Sequence, residues 1–136
     1  MKILRMTNKD KGFYATLGPF LARRDVEREI GYQIYDDDGK DWLIAVEMKK
    51  VVGFCYLWKK PKHYQIGSCY VIENYRQRGI FRDLLAEATK SIIGVVTLIT
   101  NSKIIKELLE KEGFAVKKEG GGFVEYSKEY RAVENI

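Results

Sequence analysis

The stretch from residue 70 to residue 85 places three arginines and one glycine between a strand-like run and a helix-like run. From Ile80 onward the apolar residues recur at helical spacing. The start of a helix leaves backbone N–H groups unpaired, and the helix dipole adds partial positive charge there. Gly79 lets an anion approach the backbone closely. Full positive charges come from Arg76, Arg78 and Arg82. This is the chemistry of a phosphate or pyrophosphate cradle, although a plain connection with solvated arginines has the same composition.

Length and composition predict one globular domain over residues 1–136. The chain is 46% hydrophobic and 32% charged, and it has no apolar run long enough to span a membrane. Cys55 and Cys69 lie in apolar runs and read as buried, reduced thiols. A single histidine leaves no spacing that would bind a metal ion. The segment Met1–Arg5 is charged too early for a signal peptide, so we expect a cytoplasmic protein.

The net charge of +5 raises the question of a nucleic-acid partner. Lysine and arginine are spread along the chain and interleaved with aspartate and glutamate, and no basic stripe carries interleaved aromatic residues. A mixed solvated surface with one site for an anionic cofactor accounts for the same balance. We therefore expect nucleic-acid binding to be weak and nonspecific.

Periodicity and turn residues predict the element order β-α-α-β-β-β-α-β-α-β-β. Because Gly18-Pro19 interrupts the first helical pattern, we expect two short helices at roughly 9–17 and 19–29. The continuous apolar run from Gly94 to Ile99 predicts a strand buried on both faces. The tail from Ala132 is expected to fray. The helix after that strand has a stripe predicted to be buried: Ile104, Ile105, Leu108 and Leu109.

The order of residues around the arginines resembles a motif of a known protein family. The pattern Tyr70-Val71-x-x-x-Tyr75-Arg76-x-Arg78-Gly79-Ile80 resembles the coenzyme A pyrophosphate loop of the GNAT superfamily of N-acetyltransferases. Phe81 departs from the small residue usual at the end of that loop. Asn101, followed by Lys111-Glu112-Gly113-Phe114, resembles a second family segment. The resemblance implies an α/β (α+β) fold, with a mixed, mostly antiparallel sheet of about seven strands and about four helices.

The same resemblance implies acetyl-CoA as co-substrate and assigns its contacts. The backbone of Cys69 and Val71 would hold the pantetheine arm if their strand splays from its neighbour, which would leave N–H and C=O groups unpaired. One N–H would polarise the thioester carbonyl. Asn101 would bind the arm or simply cap its helix. The implied cofactor-binding residues are Cys69, Tyr70, Val71, Arg76, Gln77, Arg78, Gly79, Ile80, Phe81 and Asn101.

The catalytic acid and base are less well marked. Leu109 stands where the family often has a tyrosine acid, and Tyr126 or Tyr130 is a substitute or a packed residue. His63 is the candidate base because its unperturbed pKa suits the task. Its neighbours predicted on the same strand face by alternation are Gln65, Gly67, Cys69 and Val71. Glu47, Glu73 and a relayed water are further candidates, and no metal is expected.

Taken together, these features predict an enzyme, an acetyl-CoA-dependent N-acetyltransferase that moves the acetyl group directly to an amine. The acceptor, a small molecule or a protein amine, is unidentified, and a homodimer is one open oligomeric state. The alternative is a non-catalytic coenzyme A-binding or nucleic-acid-associated module. We expect the acceptor groove beside Gly18-Pro19, where Arg23 and Arg24 would favour an anionic acceptor. Its other predicted residues are Phe20 and Tyr32, and the alternative place is the Gly120–Tyr126 hairpin.

Overall fold

A computed structural model describes residues 1–131 as one seven-stranded sheet with four α-helices. The tail from Ala132 lies outside the described residues. The strands are β1 (Lys2–Met6), β2 (Lys40–Glu47), β3 (Lys50–Lys59), β4 (Tyr64–Val71), β5 (Gly94–Thr100), β6 (Ala115–Gly120) and β7 (Phe123–Tyr130). The helices are α1 (Phe13–Leu21), α2 (Arg24–Ile30), α3 (Ile80–Thr89) and α4 (Lys103–Lys111), with a single 3₁₀ turn at Glu73–Tyr75.

The strands lie in the order β1-β2-β3-β4-β5-β7-β6. Neighbouring strands run antiparallel except for β4 and β5, which are parallel. The chain goes from β4 to β5 through α3, as a parallel connection requires a crossover. The predicted mixed, mostly antiparallel sheet with four helices is therefore confirmed.

Each face of the sheet packs against a different pair of helices. On one face α3 and α4 contribute Ile80, Leu84 and Leu109 to a core that includes Leu43, Val96 and Leu98. On the other face α1 and α2 contribute Phe13, Leu17 and Val26 to a core built around Trp42 and Phe54. This second core spans β1 to β4: its buried sheet residues come from β2 and β3, and Leu4 and Met6 of β1 and Tyr70 of β4 pack against it. Among the described residues, none from β5 or β7 belongs to that core.

The helices of the first segment begin and end elsewhere than the sequence predicts. α1 continues through Gly18-Pro19 and ends at Leu21, so the break lies at residues 22–23 and the predicted break at Gly18-Pro19 is wrong. Pro19 removes the N–H that would bond four residues back, and α1 ends two residues after it, at Leu21. Gly31 does end α2, with a left-handed φ of 97°.

Candidate functional site: two cavities at the opening between β4 and β5

The strands β4 and β5 are paired along less than half of their length. Tyr64, Gln65 and Ile66 pair with Val96, Thr97 and Leu98, and the pairing stops there. From Gly67 to Val71 the strand β4 stays paired with β3 but leaves β5. The splay expected for a strand carrying Val71 is therefore present. Along this edge the backbone of β4 has no strand partner to satisfy it.

A bulge distorts β4 at the point where the two strands part. Tyr56 of β3 pairs with Gly67 and Phe54 pairs with Tyr70, so two residues of β4 face the single residue Cys55. Ser68 takes up the distortion with a positive φ of 49°. Such a bulge inserts an extra residue and reverses the alternation beyond it.

The predicted single face for residues 63 to 71 is therefore wrong. Gln65 contacts the Tyr56 hydroxyl on the face covered by α1 and α2. Cys69 and Val71 instead pack against the core on the α3 and α4 face. The sequence alternation holds on each side of the bulge but not across it.

The first cavity lies between the free end of β4 and the helices α3 and α4, and it measures about 250 Å³. It contains eight of the ten residues predicted to bind cofactor: Cys69, Tyr70, Val71, Arg76, Gln77, Gly79, Ile80 and Phe81. Its remaining walls come from Glu29, Ile30, Tyr75, Arg82, Ser102, Ile104, Ile105 and Leu108. Arg78 and Asn101 are outside the lining, although both lie beside residues that belong to it.

The loop before α3 is shaped by two residues in the left-handed region. Gln77 has a φ of 62° and Gly79, which caps α3, has a φ of 79°. A Cβ atom at Gly79 would lie 2.8 Å from a guanidinium nitrogen of Arg82, so a side chain here would displace that arginine. The first backbone N–H groups of α3 have no partners inside the helix, and they face a cavity that Arg76 and Arg82 also line.

Arg76 attaches this loop to the end of β4. Its Nε donates a hydrogen bond of 2.8 Å to the carbonyl oxygen of Val71, and its terminal nitrogen pairs with Glu29 of α2. The guanidinium also lies 5.8 Å from the centre of the Tyr70 ring. The Val71 carbonyl is thus already bonded within the chain, while Arg78 stacks over Tyr75 at 5.0 Å. Of the loop arginines, Arg76 and Arg82 line the cavity.

The apolar stripe predicted for α4 lies partly in the protein core and partly in the wall of the first cavity. Leu109 is fully buried in the core, but Ile104 is 56% exposed. Ile104, Ile105 and Leu108 form a wall of the first cavity. The prediction of a fully buried stripe is therefore wrong, because the splay of β4 and β5 leaves part of this helix without a packing partner. Ser102 caps the helix, accepting a hydrogen bond from the Ile105 N–H at 3.3 Å.

A second cavity of about 360 Å³ opens on the other side of the splay. Uncharged residues form its lining: Gly31, Tyr32, Tyr56, Gln65, Ile66, Gly67, Ile99 and Phe123. The Tyr32 hydroxyl accepts a hydrogen bond of 2.7 Å from the backbone N–H of Ser68 in the bulge. The Gln65 side-chain amide donates to the Tyr56 hydroxyl at 2.6 Å. Burial raises the pKa of both phenols, so both are neutral proton-bearing groups near neutral pH.

The linings of the two cavities come within a few residues of each other at the splay, a place called the junction from here on. In three places the chain passes from one lining to the other: Ile30 to Gly31, Cys69 to Gly67, and Ser102 to Ile99. A Cβ atom at Gly31 would lie 2.7 Å from the Phe123 ring and 2.9 Å from the Asn101 amide nitrogen, so both side chains pack directly on this glycine. Asn101 therefore sits at the junction of the cavities.

The second cavity also explains an error in the reading of β5. Ile99 was expected to be buried with the rest of its strand but is 46% exposed, because its face of β5 opens onto this cavity. The sequence predicts Tyr32 beside the acceptor groove and gives the Gly120–Tyr126 hairpin as the alternative place for that groove. Tyr32 and Phe123 of the hairpin do line this cavity. Ile99, Tyr56 and Gly31 were missed, and no local motif marks them.

The two predicted catalytic residues lie away from both cavities. His63 closes the turn before β4, where its carbonyl oxygen accepts from the Lys60 N–H, at the end of β4 opposite to the Arg76 loop. Tyr126 is only 2% exposed, and its hydroxyl donates to Glu110 of α4 at 3.3 Å. Neither residue lines either cavity. Their catalytic assignment stays a prediction that this geometry does not favour.

Cys69 lies in the first cavity but is not set up as a nucleophile. Its hydrogen bond with Cys55, and then its burial, raise the pKa of the Cys69 thiol well above the usual value. Both cysteines are free thiols. A thiol held neutral in this way is a poor nucleophile near neutral pH, because the thiolate is the reactive form.

Comparisons with known proteins agree with this geometry. The family model described as "Acetyltransferase (GNAT) family" matches residues 11–114. An acyl-CoA N-acyltransferase from Pseudomonas aeruginosa has a similar structure, with a TM-score of 0.72 at 16% identity over 96% of this chain and 99% of that one. Escherichia coli ElaA gives a TM-score of 0.68 at 17% identity, with coverage of 94% and 99%.

A GNAT family acetyltransferase from Elizabethkingia anophelis, solved with acetyl-CoA bound, gives a TM-score of 0.63 at 14% identity, with coverage of 95% and 97%. No sequence among the curated proteins is similar enough to count as a match. At these identities the solved structures establish the fold alone. The family model covers most of the chain, from before α1 to the end of α4.

Over residues 1–131, no three His, Cys, Asp or Glu side chains come together as a metal site would require. The same residues contain no helix with the length and apolar character needed to cross a membrane.

Proposed function

Since this chain belongs to the acetyltransferase (GNAT) family, we propose that it is an acetyl-CoA-dependent N-acetyltransferase that acts on an amine. The observation that carries the proposal is the splay of β4 and β5, with one cavity on each side of it. Two substrates that must meet in line can each occupy one cavity and react at the junction. We also propose a cytoplasmic location.

The first cavity offers groups of the kind that bind coenzyme A. The loop between Arg76 and Phe81 joins two left-handed residues to the free N–H groups of α3, which suits a pyrophosphate. The wall from Ile104 to Leu108 offers apolar surface to the pantetheine chain. The unpaired edge of β4 offers backbone groups to its amides. Asn101 adds a side-chain amide at the junction.

When bound, acetyl-CoA supplies a thioester: the amine nitrogen forms the new C–N bond as the C–S bond breaks, coenzyme A leaves as thiolate, and the amine loses a proton. The contribution of this chain is orientation and polarisation. A backbone N–H of the β4 edge can donate to the acetyl carbonyl oxygen, where negative charge develops. Holding both reactants at the junction supplies proximity, which is a large share of the rate in such transfers.

Proton transfer at the junction falls to groups other than the two predicted from sequence. The described lining of both cavities includes one carboxylate, Glu29, which is paired with Arg76. Tyr32 and Tyr56 are neutral phenols whose oxygens accept hydrogen bonds, so each proton is available for donation. We propose that the amine is deprotonated through water, because the second cavity offers no stronger base.

The first test separates cofactor binding from turnover. Acetyl-CoA should raise the melting temperature, because a ligand that binds only the folded state stabilises it by mass action. Coenzyme A release in the presence of a panel of amines then reports transfer. Absence of any shift at millimolar acetyl-CoA would remove the basis of the proposal.

One observation favours the alternative of a non-catalytic coenzyme A-binding module. Leu109 is fully buried where the family often has an acid, and the candidate base His63 lies outside both cavities. A module of this kind would bind acetyl-CoA and release no coenzyme A with any amine. An active enzyme would release coenzyme A at a rate that depends on the amine added.

A further inference from the structure

Among residues 1–131, none of those that line the second cavity carries a charged side chain. We propose that it selects an arylalkyl primary amine that carries no anionic group, such as 2-phenylethylamine. This inference rests on the proposed function, because it names the class of acceptor for the same reaction. The sequence predicted the opposite, namely an acceptor with an anionic group favoured by Arg23 and Arg24.

The first argument is the absence of a cationic partner for an anion. The lining of the cavity offers phenol groups, one carboxamide and apolar surface. A carboxylate or phosphate moved from water into such a place loses hydration and gains no ion pair in return. An acceptor with an anionic group would therefore bind poorly.

The nearby cation is already neutralised. Lys40 lies 4.2 Å from the centre of the Tyr56 ring, but its ammonium group pairs with Asp37 at 3.0 Å and donates to the Tyr35 carbonyl oxygen at 2.8 Å. Lys40 is only 4% exposed, so it cannot turn towards a ligand without leaving these partners. Its charge is unavailable to an acceptor.

The predicted arginines are also absent from this site. Arg23 forms a two-point pair with Asp25, with its closest contact at 2.6 Å, and lies 5.5 Å from the centre of the Phe20 ring. Arg23 and Arg24 line neither cavity. The break between α1 and α2 therefore presents its charges away from the junction.

The second argument is what the lining offers to an aromatic amine. Three rings border the same space, and they come from the loop after α2 (Tyr32), from β3 (Tyr56) and from β7 (Phe123). Aromatic rings pack favourably against one another and attract an ammonium group to their faces. The phenol of Tyr32 lies at the bulge, beside the junction, where the amine must arrive.

A matched pair of probes tests the proposal. 2-Phenylethylamine and L-phenylalanine share the ring and the primary amine and differ by one carboxylate. We expect 2-phenylethylamine to be acetylated with a kcat/KM at least tenfold higher, and to bind at least tenfold more tightly to the coenzyme A complex in calorimetry. Equal or better use of phenylalanine overturns the inference, and so does failure of both probes when other amines are acetylated.

The calorimetric arm keeps the test independent of turnover. If acetyl-CoA binds but no amine releases coenzyme A, preferential binding of 2-phenylethylamine supports the cavity assignment while the proposed function fails. If acetyl-CoA binds and aliphatic amino acids are the preferred substrates, the proposed function holds and this inference fails. The two failures are therefore distinguishable.

Placing a charged side chain in the lining of the second cavity gives a sharper test of the same proposal. Gln65→Lys introduces a cation into the cavity, and Gln65→Met is its uncharged control, with a side chain of similar length that cannot donate to the Tyr56 hydroxyl. We expect the preference for phenylalanine over 2-phenylethylamine to rise at least tenfold in the lysine variant relative to the methionine variant. Acetyl-CoA affinity should be the same in both. Identical acceptor preferences in the two variants would show that ligands do not contact Gln65.

Discussion

The two cavities differ in how the chain builds them. The first draws most of its polar groups from one continuous segment, Cys69 to Arg82, and adds one wall from α4. The second is assembled from residues far apart in the sequence, Tyr32, Tyr56, Gln65, Ile99 and Phe123, each on a different element or loop. A recurring ligand such as a nucleotide-bearing cofactor can be held by a local motif. A ligand specific to one protein is held by side chains that come together only in the folded structure.

The largest effect should come from a charge in the cofactor loop. Gly79→Glu places a carboxylate beside the proposed pyrophosphate, and like charges about 4 Å apart near a protein surface repel by about 4 kcal/mol. Acetyl-CoA affinity should fall at least about 100-fold in calorimetry. Gly79→Ala is the control, because it shares the strain of the left-handed φ of 79° but adds no charge. A glutamate variant with full affinity would mean that the phosphates lie elsewhere.

The next largest effect is expected from Tyr32, which links the second cavity to the bulge in β4. Tyr32→Phe keeps the ring but leaves the Ser68 N–H without its 2.7 Å partner, in a residue that is fully buried. An unsatisfied buried donor costs about 1–3 kcal/mol, so we expect a loss of that size in the free energy of unfolding measured with urea.

Tyr35→Phe is the matched control for that measurement. The hydroxyl group of Tyr35, which is 56% exposed, bonds to Gln33 at the surface. Its removal should change stability by less than about 0.5 kcal/mol. Equal losses in the two variants would show that the Tyr32 contact does not stabilise the bulge.

Alkaline pH should act on the second cavity through its two phenols. Burial raises the pKa of Tyr32 and Tyr56 above the ordinary tyrosine value. Below about pH 10 these phenols are neutral in both folded and unfolded chains, and their contribution to stability is intact. As the pH rises further, the unfolded chain releases protons that the folded chain retains, so stability falls.

Urea unfolding between about pH 8 and about pH 11 measures this loss. Tyr32→Phe removes one of the titrating groups and should make the decline shallower than in the unmodified protein. A decline of the same steepness in both proteins would place the alkaline sensitivity in other tyrosines, such as Tyr126 or Tyr130, whose pKa values burial also raises.

The smallest effect is expected where the sequence suggested a large one. Replacing Arg23 and Arg24 together by alanine should leave both acetyl-CoA affinity and kcat/KM for 2-phenylethylamine unchanged, because these side chains line neither cavity. Steady-state kinetics of coenzyme A release measures this. A tenfold fall in acceptor use would restore the groove beside α1 and remove the contrast between the two cavities.

The sequence predicted the elements of the fold because each has its own local signal. The strands β2, β3 and β4 and the start of α3 at Ile80 follow from periodicity and turn residues. The cofactor loop was readable for the same reason, since its arginines and Gly79 are adjacent in the chain. Eight of its ten predicted residues do line one cavity.

The remaining features depend on contacts that no local pattern records. The bulge at Ser68 adds one residue to β4, and alternation then assigns Cys69 to the wrong face. Ile99 and Ile104 read as core residues because they are apolar, but the splay leaves both exposed at cavity walls. Pro19 reads as a helix breaker, yet α1 continues for two residues beyond it.

The short pairing of β4 with β5 also has a mechanical meaning. Three residue pairs, from Tyr64 with Val96 to Ile66 with Leu98, are the ladder that joins the four-stranded part of the sheet to the three-stranded part. A molecule whose amide groups hydrogen-bond to the open edge of β4 would extend this short ladder in the way that an additional strand would. The cofactor would then act as a strut as well as a reagent, stiffening the two parts of the sheet in the arrangement that aligns the substrates.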